Sequence, residues 1–113
     1  MQKAVEIPVL EKWTYQDFDL LPPDLLCEII DCNLYMSPTL IPEHQRISRK
    51  LEYQLIEFVE ENSLGEVFQA PLDIVFTNGR VLNPDVFFIA NENKNIIGEK
   101  AIVGSPNLVI EIV

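Results

Sequence analysis

Two apolar runs in the chain each carry a single carboxylate. The first is Pro84-Asp85-Val86-Phe87-Phe88-Ile89-Ala90 and the second Leu108-Val109-Ile110-Glu111-Ile112-Val113. Successive side chains of a strand point to opposite faces. Val86 and Phe88 then share one face, with Asp85, Phe87 and Ile89 on the other. Leu108, Ile110 and Ile112 likewise lie opposite Val109, Glu111 and Val113. Both faces of both runs are apolar, which predicts central strands covered on two sides. A helical period is clear in one place. Ile47, Leu51, Leu55, Phe58 and Val59 recur at helical spacing between Glu43 and Asn62, with Glu43, Arg46, Lys50, Glu57, Glu60 and Glu61 on the wet side. Gly65 is placed to close that helix.

Shorter patterns fill in the rest. Thr14 is a good N-cap for a helix over 14–18, with Asp17 in its first turn, and Pro22-Pro23 ends it. Segments 26–30 and 34–36 read as a hairpin around Asp31-Cys32-Asn33. After a loop over 37–42 and the long helix, strands are expected over 66–70 and 71–77, with a bend at Pro71. Asn78-Gly79 marks a hairpin turn. The next strand runs to Ala90 and contains Asp85. A long polar loop over 91–106 leads to the last strand, 107–113. This order predicts a mixed α/β (α+β) domain, a central mixed sheet with a long helix packed on it. Residues 1–13 form a lead-in pinned by Trp13, and 14–113 form one domain. The chain stops within its last strand, so the domain is expected to be truncated there.

Composition narrows the function classes. At 113 residues and 48% hydrophobic, the chain is an ordinary globular domain. No apolar stretch approaches the roughly 20 residues of a membrane helix, and the N-terminus has no signal-peptide pattern. A cytoplasmic protein is expected. Cys27 and Cys32 lack the companions of a zinc site and are expected to be free thiols, with Cys27 in the core. The net charge of −10 opposes nucleic-acid binding. The only basic grouping is a loose one, Arg46, Arg49 and Lys50.

A charge inside an apolar strand normally neutralises or finds a partner. Asp85 and Glu111, on strands that could be neighbours, are therefore candidates for holding a cation. Asp85 could also be a plain strand-start residue after a turn, and Glu111 an edge carboxylate facing solvent. Glu28 interrupts Leu25-Leu26-Cys27 and Ile29-Ile30, and is either a third acid or a solvent-facing strand residue. His44 falls on the inward face of the long helix, where a lone histidine is more often structural than a ligand. Asp73 is read as exposed. There is no Gly-rich phosphate loop, nucleophile elbow or Cys/His metal motif.

Taken together, these residues resemble the PD-(D/E)-x-K nuclease superfamily, and within it the branch of restriction endonuclease-like domains. The likeness runs through Thr14-Tyr15-Gln16-Asp17-Phe18, Cys27-Glu28-Ile29-Ile30-Asp31, Ser37-Pro38 with His44 opening the long helix, Pro84-Asp85-Val86, and Pro106-Asn107-Leu108-Val109-Ile110-Glu111-Ile112. It implies a metal-dependent endonuclease acting on DNA phosphodiester bonds. Asp85 and Glu111 would be the metal-binding carboxylates, Glu28 a third catalytic acid and His44 an accessory group. Mg²⁺ or Mn²⁺ suits such hard oxygen ligands. The chain departs from the pattern in two ways. Cys32 stands where the branch has Gly. Val113 stands where the superfamily has lysine, which this branch generally supplies from a following helix, while Lys94 and Lys100 lie in a loop. The chain is therefore expected to be weak or inactive as a nuclease. The rival expectation is a non-enzymatic scaffold or interaction domain that retains the fold. An open apolar edge at 107–113 is also expected to favour a homo-oligomer.

Overall fold

The computed structural model describes residues 10–22, 26–36 and 41–113. The first part of the lead-in, Pro23 and the Ser37-Pro38 motif lie outside the described residues. Helix α1 (Tyr15–Asp19) begins with a capping box: the Thr14 hydroxyl accepts from the Asp17 N–H, and the Asp17 carboxylate accepts from the Thr14 N–H. It ends at Leu20, before the prolines. Trp13 is buried, and its N–H donates to the Cys32 carbonyl at 2.8 Å. Strands β1 (Cys27–Ile30) and β2 (Asn33–Met36) form the expected hairpin. Its two turn residues, Asp31 and Cys32, have φ of 50° and 65°. Positive φ at both positions is the hairpin turn that favours glycine, so Cys32 occupies a position where a Cβ is unfavourable.

Helix α2 (Pro42–Glu61) starts with Pro in its first turn, where the missing N–H costs nothing. Its inward stripe is His44, Ser48, Leu51, Leu55 and Val59, and Val59 is buried. Ile47 and Phe58, expected in the core, are exposed. At 100° per residue they fall on the flank of that stripe, and the sheet beneath is too narrow to cover it.

The strands divide between two sheets instead of forming one. Five of them, β2, β1, β5 (Val81–Leu82), β4 (Ile74–Val75) and β7 (Ile102–Val103), form a mixed sheet in that order, with β4 and β7 parallel. The other three, β3 (Gly65–Gln69), β6 (Val86–Ala90) and β8 (Leu108–Ile110), form an antiparallel sheet with β6 in the middle. A 3-10 turn over Asn91–Ile96 and β7 occupy what reads as loop in the sequence. Ile74 and Ile102 of the mixed sheet join Phe87, Ile89 and Ile96 in one core cluster, so the two sheets share a core. Phe87 stacks on Phe68 with ring centroids 5.4 Å apart. A second cluster, Trp13, Phe18, Cys27, Ile29 and Val81, joins α1 to the hairpin. Helix α2 lies against β3, where Ile56 and Val59 border Gly65 and Val67. Strand β6 is thus a covered central strand, but β8 is an edge strand with Leu108 and Val109 44% and 39% exposed. The expectation that both apolar runs are central holds only for the first, because alternation cannot count neighbours.

Candidate active site

The strand expected to run through Asp85 is broken there. Strand β5 ends at Leu82 in one sheet and β6 begins at Val86 in the other, with Asn83-Pro84-Asp85 making the crossing. Pro84 is fully buried and has no N–H to offer a ladder. Asn83 holds the bend with three polar groups. Its backbone N–H donates to Glu28 Oε2 at 2.8 Å. Its side-chain Oδ1 accepts the Leu72 N–H at 3.0 Å, and its Nδ2 donates to Asp73 Oδ1 at 2.6 Å. The Asp85 carbonyl accepts the Ala70 N–H at 3.1 Å. Glu28 therefore reaches the crossing directly. Asp73, read from sequence as exposed, is partly buried and takes part in the same network. Burial raises its carboxyl above the ordinary value of 3.8, the Asn83 amide lowers it in part, and Asp19 raises it further.

The Asp85 carboxylate is held from two directions. His44 of α2 places Nε2 3.0 Å from Asp85 Oδ1, and the Ile112 N–H donates to Oδ2 at 2.7 Å. The other imidazole nitrogen, His44 Nδ1, is buried with no partner among the described residues. The β6–β8 ladder pairs Val86 with Ile110 and Phe87 with Val109. The ladder ends at that Val86–Ile110 pair; continued one step, its register would bring Asp85 opposite Glu111, and residues directly opposite in an antiparallel pair share a face. Asn107 anchors that register. Its N–H donates to the Phe88 carbonyl at 2.9 Å, and its Oδ1 accepts the Ala90 N–H at 2.9 Å. Glu111 is an exposed residue just beyond the β8 edge strand; the desolvation its carboxyl does meet raises it above its usual value of 4.5, and the charges of Glu28 and then Asp85 raise it further. Glu28 and Asp85 thus each come within electrostatic reach of Glu111, with His44 against Asp85.

Among the described residues, no three His, Cys, Asp or Glu side chains already enclose a cation site. The donor set nevertheless suits one. Asp85 and Glu111 supply hard carboxylate oxygens, and beside the larger effect of desolvation the negative charges of Glu28 and Asp85 raise the Glu111 carboxyl, a repulsion that a cation would relieve. The groove above Asp85 encloses about 220 Å³ between α2 and the end of β3, bounded by His44, Ser48, Arg49 and Gln69. Neither loop lysine reaches the acids through a recorded ion pair. Lys94 pairs with Glu66 at 3.8 Å, toward the far end of β3 from Gln69, and Lys100 borders a separate hollow of about 400 Å³ beside Asp73 and Asp19. Sequence reading missed Asn83 as a clamp. Its only signal was an Asn placed before Pro84-Asp85, a common turn composition.

A family model described as "Uma2: Putative restriction endonuclease" matches residues 14–113. The chain belongs to the Uma2 family. A crystal structure of a protein from Anabaena variabilis, described as a putative nuclease belonging to DUF820, shares the fold with a TM-score of 0.72 at 19% sequence identity. The alignment covers 88% of this chain and 57% of that one, so this Uma2 chain spans little more than half the length of its structural relative. No curated protein matches the chain. None of its described helices is long and apolar enough to cross a membrane.

Proposed function

We propose that this Uma2 domain belongs to a metal-dependent endonuclease that hydrolyses DNA phosphodiester bonds, with Asp85 and Glu111 as the metal-binding carboxylates. The observation that carries this reading is the β6–β8 register, whose Val86–Ile110 pair supports Asp85 and Glu111 as neighbours just past its end. A divalent ion there, Mg²⁺ or Mn²⁺, would supply positive charge beside the scissile phosphate and make hydroxide available near neutral pH. The chain's own groups do the positioning. His44 and the Ile112 N–H fix both oxygens of Asp85. Glu28 holds the Asn83 bend through one oxygen and adds to the negative field on Glu111. Glu28 accordingly acts as a positioning acid beside the pair. In the reaction, water adds to phosphorus, the bond to the leaving oxygen breaks, and that oxygen takes up a proton. No lysine stands two residues after Glu111 to assist, since that position is Val113. The loss of a positioned acid–base group typically costs about 10²–10⁴-fold, so the 113-residue chain should be a weak nuclease.

The second reading is a scaffold or interaction domain that keeps the fold without turnover. It is favoured by the engagement of Lys94 with Glu66, which leaves no described lysine paired with the acids. Plasmid nicking with Mg²⁺ or Mn²⁺ separates the two. The nuclease reading predicts slow nicking that disappears on metal removal and in Asp85→Asn. No nicking at any metal concentration favours the scaffold, and nicking that survives Asp85→Asn contradicts the site. The same proposal takes the protein as cytoplasmic, in keeping with Cys27 and Cys32, which are not joined in a disulfide. It also takes the β8 edge as a surface for self-association.

A further inference from the structure

Helix α2 has Glu43 in its first turn, and after it a basic stretch is followed by an acidic one. Arg46, Arg49 and Lys50 lie in its N-terminal half, while Glu57, Glu60 and Glu61 lie toward its C-terminus, and the last turn has no basic residue. The helix dipole acts within the first and last turns, and Glu43 already occupies the first, so it does not account for the arrangement of cations at 46, 49 and 50. Local pairing does not account for it either. Among the described residues, none of these three cations is recorded in an ion pair.

Positions 46, 49, 50 and 53 fall on one stripe of the helix. The fourth is Tyr53, whose side chain is part of a residue 69% exposed. Arg49 stands at the margin of the stripe and borders two hollows. One, of about 480 Å³, is shared with Lys50, Tyr53 and Gln54. The other is the groove leading to His44, Ser48 and Asp85, which Glu52 also lines. A continuous surface therefore runs from an exposed aromatic ring, over paired cations and past one arginine, to the candidate acids. In a chain of net charge −10, these three neighbouring cations offer a polyanion a local charge complementarity that the chain as a whole does not.

We propose that this stripe binds single-stranded nucleic acid. Phosphates sit on Arg46, Arg49 and Lys50, one unpaired base stacks on Tyr53, and the strand passes Arg49 into the groove. Stacking on an exposed ring requires a base free of a duplex, which selects a single strand over paired DNA. The proposal deepens the nuclease reading by naming its substrate class and rests on that reading only for what happens at the acids.

The test is fluorescence anisotropy of the full chain with a labelled oligothymidine in metal-free buffer. The wild type should bind with an affinity that falls steeply with salt. The double variant Arg49→Gln/Lys50→Gln should bind at least about tenfold more weakly, with a salt slope lower by about 1–2. Tyr53→Ala should weaken binding by roughly tenfold, and Tyr53→Phe should restore it. Lys100→Gln should bind as the wild type does. Circular dichroism confirms that each variant is folded. Failure of the wild type to bind, wild-type affinity in the double variant or in Tyr53→Ala, or tighter binding of a matched duplex would each overturn the proposal. Because the assay contains no metal, stripe-dependent binding without plasmid nicking would remove the nuclease reading and leave this one standing. Metal-dependent nicking without stripe-dependent binding would do the reverse.

Discussion

Asn83 uses three polar groups to fix one bend, and two of its partners are acids that would otherwise be poorly solvated. Asp73 is the more constrained of the two. Its carboxyl is raised above 3.8, chiefly by burial. The folded chain therefore holds that proton more tightly than the unfolded chain, and stability falls as pH rises from 3.8 through the raised value. An amide at this position keeps an oxygen for Asn83 Nδ2 and cannot ionise. Asp73→Asn should melt at a higher temperature than the wild type at neutral pH, and the difference should vanish below 3.8. Thermal melts followed by circular dichroism at the two pH values check this; a variant less stable at neutral pH would show that the charged form is the one the fold prefers. The acids at 28, 85 and 111 were legible in the sequence because each interrupts an apolar run. Asn83 and Asp73 were not, because polar residues around a proline read as turn whether or not they hold anything.

At the level of elements, the sequence pattern shows most clearly where a strand or helix exists and least clearly which neighbour it meets. The long helix and both hairpins were readable from period and turn chemistry. The division into two sheets was not. Alternation tells that β5 and β6 are extended but carries no record of their partners, and Pro84 between them was the only sign of the break. The β1–β2 turn is a case where local chemistry and structure disagree. Cys32 adopts a φ of 65°, a region that costs a side-chain-bearing residue roughly 1–2 kcal/mol. Cys32→Gly should stabilise the chain by about 1 kcal/mol, which for a domain of about 100 residues raises the melting temperature by roughly 4–8 °C. Urea or thermal denaturation measures it. An unchanged or lower midpoint would mean that the exposed thiol side chain contributes contacts that offset the backbone cost.

At the scale of the whole molecule, two features pull against each other. The net charge of −10 keeps copies apart, while β8 offers an open edge beside partly exposed Leu108 and Val109. An apolar sheet edge invites pairing with another strand, and salt screens the repulsion that opposes it. The 113-residue chain should therefore self-associate more strongly at high salt than at low salt. Light scattering at about 100 μM, where contacts of about 5–6 kcal/mol are populated, reads this directly. A monodisperse monomer at both salt concentrations would show that the edge is inert. The same negative charge bears on the nuclease reading, because phosphate must approach through a field that only bound cations and the basic part of α2 can reverse. The central claim is that Asp85 and Glu111 together hold a divalent ion. The most direct measurement is calorimetric titration of the folded chain with Mn²⁺, compared with Asp85→Asn and Glu111→Gln. Saturable binding by the wild type, lost in both variants, is the expected result. Binding that persists unchanged in either variant, or no saturable binding by the wild type, would contradict it.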